Sequence, residues 1–232
     1  MNIPYPPVHY YQNQGMVPKT GPVECVTTSV VIVMNMVKDR LAHDLNQPPI
    51  ADIQVKEYAA ELDGMGLAGL CYRLPSGFFV KPGRGWMLPV VQAPNALKRF
   101  ARELHDKYGR SFKVKQTSGN TLDNISQALQ AGNFVIVHGL WQVTDQKEFL
   151  YKFGGGPHSM VPVDIDSQAG TVILLNPADP DPATVAPDNP ATYPAPALYA
   201  MPTGEFLAFW GRKSVLNLYT QPFTMTVVIP DT

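Results

Sequence analysis

Three residue types that cooperate in acyl transfer lie far apart along this chain. They are a thiol at Cys25 in GPVECVTTSVVIVMNM, an imidazole at His158 in GGGPHSMVPVDID and a carboxamide at Asn176 in TVILLNPAD. Cys25 follows a turn-forming Gly21-Pro22 pair and opens an apolar run of helical periodicity, which predicts a buried helix beginning at the thiol. At a helix N-terminus, unpaired backbone N–H groups and the positive end of the helix dipole favour thiolate over thiol. Thiolate is the attacking species in cysteine catalysis, an imidazole can take the thiol proton, and a neutral carboxamide can orient that ring without adding charge.

Each residue also has a plainer reading. A cysteine is often just a small buried hydrophobe, and Cys25 with Cys71 could form one disulfide in an oxidising compartment. His158, after Gly154-Gly155-Gly156-Pro157, could be an ordinary loop histidine, and Asn176 before Pro177 is a common turn residue. His9, His43 and His105 lack comparable contexts, whereas His138 in VIVHGLW is a second candidate base. What favours the chemical reading is the order of the three along one chain, Cys then His then Asn.

Composition narrows the field. The 232 residues are 45% hydrophobic and only 16% charged, with a net charge of −1, as in a globular protein with a sparsely charged surface. No dense Lys/Arg block is present, and the richest stretch, Lys98 to Lys115, is mixed with Glu103 and Asp106, so nucleic acid is not an expected partner. The longest aliphatic run, Val30 to Val37, is interrupted by Asn35 and falls far short of the ~20 residues a membrane span needs. The N-terminus shows no basic region followed by an apolar stretch, which favours a cytoplasmic protein. No phosphate-binding glycine motif and no paired Cys/His spacing occur, and Asp164, Asp166, Asp179 and Asp181 read as solvated turn residues; no cofactor and no metal are expected.

The elements that must position the three groups can be read in order. After a Pro- and Tyr-rich arm, a first helix runs from Cys25 to about Ala42 and a second from about Ile53 to Leu62. Gly64 to Pro89 is irregular and aromatic, the pattern of a loop packed on the core. Pro94 introduces a third helix from about Asn95 to Tyr108, and Thr121 caps a fourth over Leu122 to Gln130 that ends at Gly132. The period then changes, predicting strands at Phe134–Val137, Val161–Ile165, Thr171–Leu175 and Thr224–Ile229. Asp166 to Gly170 is a polar connection suited to an antiparallel hairpin, which would bring His158 and Asn176 together at its far end. Counted from position 168, His158 is 10 residues back and Asn176 8 residues on, so one bulge would align them.

Helices first and a sheet afterwards make this an α+β chain. It is expected to form one domain over 1–232, with a helical half to about 132 and a sheet half from about 133. Residues 177–202 form a Pro-Ala-Asp-rich surface insertion, followed by a short amphipathic helix in GEFLAFWG.

With these elements in order, the chain resembles papain-like cysteine peptidases, and more closely the branch of bacteriocin-processing peptidases. The resemblance is carried by the Tyr/Gln-rich arm, ECVTTS opening a helix, LDNISQALQAGNFVIV as helix then strand, Pro-His opening a strand, Asn-Pro-Ala closing another, and the terminal EFLAFW. It implies a papain-like fold in which Cys25 is the nucleophile, His158 its base and later the acid, and Asn176 the residue that orients the ring. It also implies an oxyanion donor upstream: Gln14, 11 residues before Cys25, or Gln12, 13 before it, with Gln14 preferred. The sequence departs from the common Cys-Gly start in having Val26 after the thiol and Glu24 before it.

The activity so implied is hydrolysis of a peptide or related amide through a thioester, with a peptide or protein as substrate. Two other readings stay open: a catalytically silent module binding peptide or glycan, and an acyltransferase using an amine in place of water.

Overall fold

The structure, a computed structural model, describes residues 3–12, 25–64, 90–141, 156–177, 198–212 and 221–231. Gln14, nearly all of the Gly64–Pro89 stretch and most of the 177–202 insertion lie outside these residues.

Among the described residues are five α-helices: α1 (Cys25–Asp44), α2 (Val55–Gly64), α3 (Ala93–Tyr108), α4 (Leu122–Gln130) and α5 (Thr203–Trp210). They pack on one antiparallel sheet of six strands: β1 (Phe112–Thr117), β2 (Phe134–Trp141), β3 (Gly156–Asp166), β4 (Thr171–Leu175), β5 (Leu198–Pro202) and β6 (Thr224–Pro230). The strand order is β1-β6-β2-β3-β4-β5, so the last strand fills the slot between the first two. The expected α+β architecture, helices on a mostly antiparallel sheet, is what the chain adopts.

Local rules account for the elements. α1 is apolar nearly all round and is accordingly buried nearly all round, with Val30 to Val33 and Met34 fully enclosed. Its one buried cation, Lys38, is held by Asp39 at 2.6 Å and Asp52 at 2.7 Å, because an unpaired ammonium in such a place would be strongly destabilising. α3 carries a one-sided stripe of Ala96, Leu97, Phe100 and Leu104, starts with Pro94 in its first turn, and stops at Gly109. There the positive φ of 67° suits glycine, and its N–H closes on the His105 carbonyl. Asn124 Oδ1 accepts from the Thr121 N–H at 2.9 Å to start α4.

Strand alternation sends side chains to two cores. Phe134, Ile136, Val161, Leu175 and Val228 face α1, α2 and α3. Val135, Val137, Met160, Leu174, Met225 and Val227 face α4 and α5. The sheet is thus covered on both sides.

Two strands differ from expectation. β1 lies inside the presumed helical half, and its FKVKQT alternation of buried Phe112 with exposed Lys113 and Lys115 is a half-buried edge pattern too sparse in apolar residues to stand out. β5 falls within the expected surface insertion; it pairs only with β4, and a Pro-ended edge strand is recognisable only once its neighbour is in place.

The face toward α1 also carries a polar row. Gln116 Nε2 donates to Thr226 Oγ1 at 2.9 Å, Thr226 Oγ1 meets His138 Nε2 at 3.0 Å, and His138 Nδ1 meets Ser159 Oγ at 2.8 Å. His138 is fully buried, and desolvation pushes its pKa down from 6.5 to about 3, so the ring is neutral in the folded protein. A folded-state pKa below the unfolded value means that the unfolded chain takes the proton first. The stability this ring contributes is therefore full above about pH 6.5 and declines as the pH falls toward about 3. Against His138→Gln, which has no imidazole to titrate, the wild type should melt at higher temperature at pH 7, and the gap should narrow as the pH is lowered to 5. Thermal melts showing the same gap at both values would contradict a buried neutral ring.

Candidate active site

The site is built on the β3–β4 hairpin. Its turn is fixed by Asp166, whose Oδ1 accepts from the N–H groups of Gln168 at 3.0 Å and Ala169 at 2.8 Å. Near the turn the register is Asp166↔Thr171 to Asp164↔Ile173; it then shifts, and continues as Pro162↔Leu174 and Val161↔Leu175. Val163 is the extra residue. Its consequence is a change of face along β3: near the turn Ile165 lies with Val172 on the α4–α5 side, whereas beyond the shift Met160, and with it His158, lies on that side with Leu174. Asn176, next in the alternation of Val172 and Leu174 and level with Met160, shares that face and is the diagonal neighbour of His158, a distance that long side chains bridge. The bulge expected from residue counting is present, and the two residues meet diagonally rather than directly opposite.

They do meet. His158 Nε2 and Asn176 Oδ1 are 2.7 Å apart. An amide oxygen can only accept, so Nε2 carries the proton and Nδ1 is the basic nitrogen of the ring. Burial pulls the His158 pKa down from 6.5 to about 4, opposed by the Asn176 hydrogen bond, which raises it.

An aromatic side chain packs beside the imidazole. The Phe209 ring of α5 approaches the imidazole edge-on, with centroids 6.4 Å apart and planes at 68°. α5 is held by Trp210, whose Nε1 donates to the Thr224 carbonyl at 2.8 Å. Phe209 can come so close because β2 has Gly139 opposite His158. A Cβ at Gly139 would lie 2.6 Å from the Phe209 ring and 2.7 Å from its carbonyl oxygen. Sequence reading singled out the EFLAFW segment but not Gly139, which carries no signal until β2, β3 and α5 are assembled.

Cys25 is the first residue of α1, with 6% exposure; Cys71, its expected alternative partner, lies outside the described residues. The helix is fastened to the hairpin one turn further on, where Ser29 Oγ donates to the Ser159 carbonyl oxygen at 3.1 Å. Cys25 and Ser29 share a helix face about 6 Å apart along the axis, and Ser159 is the immediate neighbour of His158.

The other candidates are placed as follows. Gln12 is tied into the framework: its Nε2 donates to the Ile53 carbonyl and its Oε1 accepts from the Val55 N–H, both at 2.6 Å, which ties the arm to the segment before α2. Gln14 lies outside the described residues. His138 is on the opposite sheet face from His158 with both ring nitrogens engaged, which makes it a core residue and no base. Among the described residues, no group of three or more His, Cys, Asp or Glu side chains is gathered to hold a metal, and no helix is long and apolar enough to cross a membrane.

No protein-family model matches the chain, and no curated protein matches it. Among solved structures it is similar to one from Bacillus anthracis, provisionally described as a C39-like peptidase, with 10% identity, 90% of each chain covered and a TM-score of 0.44.

The packing at Gly139 yields a direct check. Gly139→Ala should lower stability by about 1–3 kcal/mol in denaturant unfolding, since the clash includes backbone and no side-chain rotation relieves it. Unchanged stability would mean that α5 does not sit this close to β2.

Proposed function

We propose that this chain is a single-domain, papain-like cysteine hydrolase that cleaves a peptide or related amide bond through a thioester acyl-enzyme. The observation that carries the reading is the 2.7 Å contact from His158 Nε2 to Asn176 Oδ1, which makes Nδ1 the basic nitrogen. It is supported by a buried cysteine at the first position of a long buried helix whose next turn is bonded beside His158.

In this reading His158 Nδ1 takes the Cys25 proton and the thiolate attacks the amide carbon. The oxyanion is met by the Cys25 backbone N–H and the Gln14 amide, a donor of this kind contributing about 3 kcal/mol. Imidazolium then gives its proton to the leaving amine, and a water activated by the same ring releases the acid and restores the thiol. Burial alone keeps His158 neutral, so the ring charges only when a thiolate forms beside it, and the two groups ionise as a pair. Asn176 contributes orientation without charge, and Phe209 excludes water from the bond that provides it.

Iodoacetamide should alkylate Cys25 at pH 6 far faster than it alkylates a free thiol, and Cys25→Ala should abolish hydrolysis of a peptide library. Asn176→Ala should lower kcat by about 10²-fold or more with a smaller change in KM, because the imidazole loses its orientation. A thiol no more reactive at pH 6 than a model thiol would overturn the proposal. A Cys25→Ala protein that still binds peptide as the wild type does, with neither form hydrolysing it, would establish the binding-module reading instead. Product analysis with added amine separates hydrolysis from acyl transfer.

A further inference from the structure

The polar row on the α1 face of the sheet ends at the helix that carries the thiol. Four strands contribute to it, β1 through Gln116, β6 through Thr226, β2 through His138 and β3 through Ser159. Gln116 donates to Thr226 Oγ1, and the Thr226 and Ser159 hydroxyls, which donate or accept as needed, engage His138 Nε2 and Nδ1, so both ring nitrogens are satisfied in either neutral tautomer. The next link changes element, since Ser29 Oγ of α1 donates to the carbonyl oxygen of Ser159.

Ser29, Ser159, His138 and Thr226 are all fully buried, so each of these polar groups would be costly to leave unpaired. The contact occurs where β3 has run past the end of β4, whose last ladder pair is Val161↔Leu175. A run of apolar contacts would hold α1 against the sheet but would let it slide along its axis, because dispersion is not directional. A hydroxyl on a carbonyl sets one axial position, and this one lies a single turn from Cys25 and a single residue from His158.

We infer that Ser29 is a positioning residue for the Cys25 nucleophile: by donating to the Ser159 carbonyl it sets the height of α1 against β3, and His138 steadies that carbonyl by holding the Ser159 hydroxyl. This rests on the proposed cysteine hydrolase reading. Ser29 touches no reacting atom; it acts by fixing how far the sulfur stands from His158 Nδ1. A displacement of the order of 1 Å at a reacting centre costs about 10²-fold in rate. The neutral state of His138 keeps the row intact across the whole pH range in which a thiolate–imidazolium pair would work.

The test compares wild type, Ser29→Ala and Ser159→Ala by peptide hydrolysis, by the rate of Cys25 alkylation with iodoacetamide at pH 6, and by thermal melting. Ser29→Ala should lower kcat by about 10–10²-fold with KM little changed and slow the alkylation, in protein that remains folded at the assay temperature. Ser159→Ala leaves the Ser29 acceptor present but unsteadied, so it should show the same kind of loss, smaller in size; it decides the matter if Ser29→Ala does not fold. A merely structural serine would lower the melting temperature without separating kcat from KM. A reactive wild-type thiol whose alkylation and kcat are unchanged in Ser29→Ala, or in a folded Ser159→Ala when Ser29→Ala is unfolded, overturns the positioning role alone. A wild-type thiol no faster than a free one overturns the hydrolase reading and this inference with it.

Discussion

Pairing of β3 with β4, and the single residue by which it slips, is the constraint on which the site depends. Side chains on a strand alternate strictly, so a slip of one residue does not move His158 slightly; it transfers the imidazole from the α1 face of the sheet to the face that Asn176 shares. The extra residue, Val163, follows Pro162, which has no N–H to contribute to a ladder. A lost backbone hydrogen bond costs about 0.5–1.5 kcal/mol, so an irregularity beside a residue that already lacks the donor adds less than it would elsewhere. His158 and Asn176 share a face because the hairpin is imperfect at that point.

Covering both faces of the sheet determines how each histidine behaves. His138 and His158 stand on adjacent strands and point to opposite sides. Both are pulled toward the neutral form by burial, yet their partners differ in kind. Hydroxyls, which donate or accept as needed, satisfy both nitrogens of His138 and leave it nothing to do but hold the core together. The amide oxygen on His158 fixes one nitrogen as a donor and so defines the other as a base. The same residue type thus becomes structural on one face and chemically directional on the other.

Much of the architecture is readable along the chain. α4 and β4 appear at the expected residues, and α1 extends only two residues beyond the expected end, because Thr121, Pro94, Gly109 and Gly132 are local punctuation that acts through backbone geometry. The His158–Asn176 meeting is also legible, since a polar turn between two β-rich runs brings their outer ends together whatever surrounds them. β1 and β5 are not legible: an edge strand is paired on one side only and needs neither a continuous apolar run nor a distinctive turn. Gln12 shows a contact that spacing does not reveal. Its position in the chain suits a donor near the thiol, but its amide is spent on the backbone at Ile53 and Val55, contacts 41 and 43 residues away that no spacing rule anticipates.

Residue type and order therefore determined what chemistry was possible: a helix-opening thiol, an imidazole and a carboxamide in strands joined by a short turn, all of which depend on near neighbours. Tertiary structure decided which groups were committed elsewhere. It gave Gln12 and His138 to the framework, brought Phe209 against the His158 ring through the space left by Gly139, and tied α1 to β3 through Ser29. The physical reason is that a buried polar group must find a partner wherever the fold offers one, and those partners belong to strands and helices distant in sequence, whose meeting is set by packing both faces of one sheet.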